Sequence, residues 1–164
     1  MANSLDDMKS YHTKGFTLLE VLIVIGVLAI LATIANPIFR GMVQKNEIDG
    51  TAQGIIFDLK RVRANSMSGE NGLKWGIHFY SSTSSNYYQI FSSPGDYNHV
   101  STTVESTIYL PKLIRFSEPV SSSTKDIIFE KIRGTLTTST TLTIINSTDG
   151  MQKIININAL GNVD

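Results

Sequence analysis

The chain has 164 residues, enough for one modest domain with a helical appendage and too few for two full domains. Fourteen basic and fourteen acidic side chains cancel, so no overall field draws it onto nucleic acid or an anionic membrane. With no cysteine there is no disulfide framework and no thiolate nucleophile or metal ligand, and the strongest apolar run is confined to the N-terminal quarter.

The first element runs from Phe16 to Phe39, FTLLEVLIVIGVLAILATIANPIF, and its one charge is Glu20. As a helix, the stretch from Phe16 to Ala35 reaches about 30 Å, the thickness of a hydrocarbon core. A removed secretory signal has a shorter core of about 7–15 apolar residues and a small-x-small cleavage site. Asn36-Pro37-Ile38-Phe39-Arg40 offers no such site. A helix apolar all round inside a soluble protein would need burial on every face. The sequence therefore predicts a retained, membrane-spanning helix over 16–39.

Glu20 is the anomaly of that span, because a carboxylate there costs about 3 kcal/mol on insertion scales. Were the chain cut after Gly15, the new α-amino group of Phe16 would stand one helical turn from Glu20 and offset part of the cost. Lys9 and Lys14 before the run favour a cytoplasmic N-terminal flank, while Arg40 and Lys45 after it weaken that orientation signal.

KGFTLLEVLIVIGVLAILA resembles the prepilin N terminus of type IV pilins and type II secretion pseudopilins, over about the first forty residues. In that family a prepilin peptidase cuts after the glycine and N-methylates the new first residue. The resemblance implies a leader over 1–15 ending at Gly15, a methylated Phe16, and a Glu20 that pairs with a terminal amine during assembly. It also implies a single-pass inner-membrane subunit with an exported C-terminal head. Such a subunit later joins a cell-surface pilus or a periplasmic pseudopilus through other pilin subunits and an inner-membrane assembly platform.

Pro37 cannot donate to the carbonyl of Thr33, and Gly41 follows, so a kink is expected near Pro37. Helical periodicity then resumes, with Ile48, Ala52, Ile55, Leu59 and Val62 forming one apolar stripe that wants covering. Gly69 and Gly72 are the stop signals, placing the long helix over 16–68 and a head over 69–164. Lys60, Arg61 and Arg63 suit the negative end of the helix dipole and read as solvated charge rather than a nucleic-acid patch.

After Gly72 the pattern changes to period two. Leu73, Trp75, Ile77 and Phe79 alternate with Lys74, Gly76, His78 and Tyr80, and further strands are expected over Tyr87–Phe91, Thr107–Leu110, Leu113–Phe116, Asp126–Ile132, Thr141–Ile145 and Lys153–Asn158. The fold class is α+β: a long, partly transmembrane N-terminal helix packed on an antiparallel β-rich head, a lollipop of pilin type. This half resembles the GspH/FimT group of minor pilins and pseudopilins on LKRVRANSMSGENGLKWGIHF, DIIFEKIRGTL and KIININALGNV, where Arg63, Ala64, Phe129, Gly134 and Gly161 fill comparable places.

No catalytic or metal motif is present, and His12, His78 and His99 stand alone in the sequence, so neither an enzyme nor a cofactor is expected. Asn146-Ser147-Thr148 fits a glycosylation sequon but reads as a turn between two strands. The resemblance implies a minor pilin or pseudopilin in a type IV pilus or type II secretion pseudopilus, in the tip or initiation complex. Two alternatives are a DNA-receptor pilin and an adhesive head. For the first, Lys131 and Arg133 would share a strand face, helped by Lys60 or Arg61. The second would use the loops Ser92–Ser106 and Glu118–Lys125. From Leu73 onward seven basic side chains face seven acidic ones, which disfavours DNA.

Overall fold

The computed structural model describes residues 15–164, apart from the side chains of 34–40. The chain divides into two compact units, Met1–Arg40 and Gly41–Asp164.

In the first unit, helix α1 (Leu18–Ser68, shared with the second unit) starts behind Thr17, whose Oγ accepts the backbone N–H of Glu20 at 3.2 Å. Thr17-Leu18-Leu19-Glu20 is thus an N-cap with an acid at the third position, where a carboxylate also meets the positive end of the helix. Side chains from Leu18 to Thr33 are exposed on every side of α1, including Leu18, Leu22, Ile25 and Leu28. Among the described residues no helix is long and apolar enough to cross a membrane. The expected span 16–39 and the expected kink at Pro37 both involve 34–40, whose side chains lie outside the described residues, and the expected leader does so over 1–14.

The second unit is built on the apolar stripe. Ile48, Ala52, Ile55, Leu59 and Val62 are all buried, at 5 % exposure or less. Opposite them stand two antiparallel sheets. The first has the order β3 (Thr103–Tyr109), β2 (Asn86–Ser93), β1 (Lys74–Ser81), β5 (Ser123–Phe129); the second has β4 (Ile114–Glu118), β6 (Thr140–Asn146), β7 (Gln152–Ile157). Trp75, Ile77, Phe79, Ile127 and Phe129 from the first sheet and Phe116, Leu142, Ile144, Ile155 and Ile157 from the second form one core with the helix stripe. All seven expected strands are present, with ends shifted by a few residues.

Gly69, at φ 65, ends the helix as expected. The expected strand Asp126–Ile132 is shorter than its apolar pattern suggested. β5 stops at Phe129, and Lys131 to Arg133 form a turn in which Ile132 takes φ 69. A β-branched residue in the left-handed region is strained. It is held there by its N–H donating to the carbonyl of Ser66 at 2.9 Å, while Ser66 Oγ donates to the carbonyl of Phe129 at 2.8 Å.

Candidate functional site

At the N-terminal end, Gly15 and Phe16 precede α1 in irregular backbone, Phe16 is 81 % exposed, and a side chain at Gly15 would meet nothing within 4 Å. Glu20 lies in the first turn of α1, exposed, with its N–H on Thr17. The junction, the cap and the carboxylate are contiguous, and an apolar helix follows them at once.

Residues 11–36 match the family model for the prokaryotic N-terminal methylation motif. This is a prepilin-type N terminus. The match is confined to this N-terminal segment, and it supports a type IV pilin-like or pseudopilin-type N terminus. No curated protein matches the chain, and no solved structure does.

The prepilin-type segment is followed by a head with a polar junction that the sequence did not announce. Arg63 is half-buried rather than solvated, which corrects its reading as a charge serving the helix dipole. Its Nε donates to the carbonyl of Gly134 at 3.1 Å, one terminal nitrogen to Asn162 Oδ1 at 3.1 Å and the other to the carbonyl of Leu160 at 2.8 Å. The guanidinium fork thus ties α1 to two distant loops. Gly134 (φ 62) and Gly161 (φ 81) make the approach possible: a Cβ on Gly161 would lie 2.1 Å from the carbonyl oxygen of Gly134. Arg63, Gly134 and Gly161 are among the residues that carry the GspH/FimT resemblance, and the fold brings them together.

Lys131 and Arg133 do not share a strand face; both are exposed in the turn after β5. Of the expected helpers Lys60 and Arg61, Arg61 is paired with Asp58 at 3.2 Å.

His78 is also placed differently from expectation. The 94–102 loop folds over the outer face of the first sheet, so that Tyr97 stacks on the His78 ring at 3.8 Å and His78 Nδ1 meets Asp126 Oδ1. His78 is consequently only 8 % exposed, and burial raises the Tyr97 phenol above its usual range. Tyr88 donates to Asp58 Oδ2 at 2.7 Å; burial first, then that carboxylate, pushes its phenol well upward. Glu118 accepts from Lys125 and from Thr141 Oγ, and these bonds hold its carboxyl below the usual range. The sequon residue Asn146 is fully buried, its Oδ1 accepting the N–H of Thr148 at 2.9 Å, so the reading as a turn holds and the amide is closed to a glycan.

Proposed function

We propose that the chain is a minor pilin or pseudopilin, a structural subunit of a type IV pilus or type II secretion pseudopilus. The observation that carries the reading is the matched N-terminal motif set on an exposed Gly15–Phe16 junction and followed by a helix apolar on all sides. A helix of that kind is stable in water only when lipid or other helices cover it. In this reading a prepilin peptidase cuts after Gly15 and methylates Phe16. Residues 16–39 then hold the subunit in the inner membrane with the head exported. During assembly Glu20 pairs with the terminal amine of a Phe16 in the packed helices of the filament, where low polarity strengthens the attraction.

The GspH/FimT assignment is supported by the convergence of Arg63, Gly134 and Gly161 at one junction. The DNA-receptor alternative rests on Lys131 and Arg133 in an exposed turn, too few cations for salt-resistant binding to phosphates.

Intact-mass analysis of the protein recovered from cells that hold a prepilin peptidase tests the proposal. Loss of Met1–Gly15 with the gain of one methyl group is expected. Filaments built from chains that keep the leader would refute it.

A further inference from the structure

Two clefts adjoin at the end of the head where β1 turns into β2. One, of about 300 Å³, is walled by Ser82, Thr83, Ser117 and Ser121; the other, of about 250 Å³, by Ser85, Tyr109, Lys112 and Ser147. Arg115 and Thr83 line both. Their walls are fixed by backbone bonds. Ser82 Oγ accepts the N–H of Ser85 at 3.0 Å and donates to its carbonyl at 2.8 Å, and Asn86 Oδ1 accepts the N–H of Phe116 at 3.3 Å across the two sheets. The N–H of Ser122 donates to the carbonyl of Ser81 at 2.8 Å, which sets the Ser121 side of the first cleft.

Charge decides what fits there. The head carries as many acids as bases, yet no carboxylate lines either cleft. Among the described residues neither Arg115 nor Lys112 has a carboxylate partner, and the nearest acid in sequence, Glu118, is already engaged by Lys125 and Thr141. Two free cations are thus set among hydroxyls, with Tyr109, 67 % exposed, at the rim. Hydroxyl walls both donate to and accept from a ligand rich in hydroxyls. A guanidinium takes a planar carboxylate through two parallel bonds. An open phenol ring offers an apolar face with a polar tip. A nucleic acid fits less well, since two phosphate contacts give weak and strongly salt-dependent binding.

We propose that these clefts form a binding site for an acidic polysaccharide, with a sugar carboxylate on Arg115, a neighbouring one on Lys112 and sugar hydroxyls on the serine and threonine walls. The site gives the head a ligand of its own.

The test is calorimetric titration of the full-length protein in detergent micelles with trigalacturonate, its methyl ester, inorganic phosphate and a short DNA duplex. Saturable binding of trigalacturonate, or of a hyaluronan or sialyl-oligosaccharide fragment in its place, is expected with a Kd below about 1 mM. Arg115→Gln should weaken it by about tenfold or more, the cost of one charge-assisted pair, and the methyl ester, which removes the partners of both cations, by more. Lys112→Gln should weaken it less, and both variants should melt like the parent, because neither side chain has a carboxylate partner in the fold. If Arg115→Gln misfolds, the ester and Lys112→Gln decide. The proposal is overturned if none of the three sugars binds, if ester and acid bind equally, or if Arg115→Gln has no effect. It is overturned equally if phosphate displaces the sugar at matching concentration, an adventitious anion site only, or if DNA binds more tightly than any sugar.

Discussion

Replacing Gly161 by alanine probes the junction at Arg63 directly. Gly161 has φ 81, and an added Cβ would come within 2.1 Å of the carbonyl oxygen of Gly134 and 2.7 Å of Arg63 Nε. An L side chain in the left-handed region costs about 1–2 kcal/mol by itself. The contact with Gly134 is to backbone, so the loop must move away, and at least one bond from the Arg63 guanidinium is lost, about 1.5–3 kcal/mol for a charged donor. Gly161→Ala should therefore destabilise the head by about 2.5–5 kcal/mol in total. Gly150 supplies the control, for it has φ 73 and nothing within 4 Å, so Gly150→Ala should cost only the conformational part, about 1–2 kcal/mol. Trp75, the single tryptophan and 5 % exposed, reports unfolding of the head by fluorescence without interference from the apolar helix. At about 3 °C per kcal/mol for a chain of this size, the melting temperature should fall by about 8–15 °C for Gly161→Ala and about 3–6 °C for Gly150→Ala. Equal shifts for the two variants would refute the close approach at Gly161.

Three further outcomes are expected. Leu59→Ala, at a fully buried position, should cost about 2–5 kcal/mol in denaturant titration, whereas Phe57→Ala, 66 % exposed on the same helix, should stay within about 0.5 kcal/mol; a reversal would mean that the stripe faces the other way. Glu20→Ala should still insert into the inner membrane, because an acid has left the span, but should enter filaments poorly; fractionation and filament yield measure both, and normal incorporation would refute the pairing role. Glu118 has a carboxyl held down in the folded state by Lys125 and Thr141. Its contribution to stability is complete above the ordinary carboxylate range and disappears as pH falls through the lowered value, modestly because the side chain is partly solvated. Melting between neutral and acid pH should therefore show a shallower loss for Glu118→Gln than for the parent, and identical slopes would discount the Lys125–Glu118 pair.

Much of the head was legible in residue order because its elements have clean periods. The spacing of Ile48, Ala52, Ile55, Leu59 and Val62 marks one helix face, and Trp75, Ile77 and Phe79 mark one strand face, since burial on one side selects apolar residues at the period of the element. Periodicity failed where the partner was remote. Ile132 extends an apolar run beyond β5, but its N–H is taken by Ser66, so the chain turns instead of continuing the strand. Arg63 reads as solvated because its acceptors, Gly134 and Leu160, are 71 and 97 residues away. His78 falls on the polar face of β1, and only the folding of the 94–102 loop turns that face inward. At the N terminus, Thr17-x-x-Glu20 was a readable capping signal overshadowed by the charge of Glu20 itself. The paired clefts around Arg115 were out of reach, since their walls come from four separate stretches of chain.

The placement of Arg63 matters when a subunit is under tension. A pull on α1 along its axis would load the packed rows from Ile48 to Val62 and the Arg63 and Ser66 ties that lie beyond them on the same helix. With no disulfide in the chain, resistance to such a pull comes from noncovalent contacts alone, and weakening the guanidinium fork should lower the rupture force of a single head.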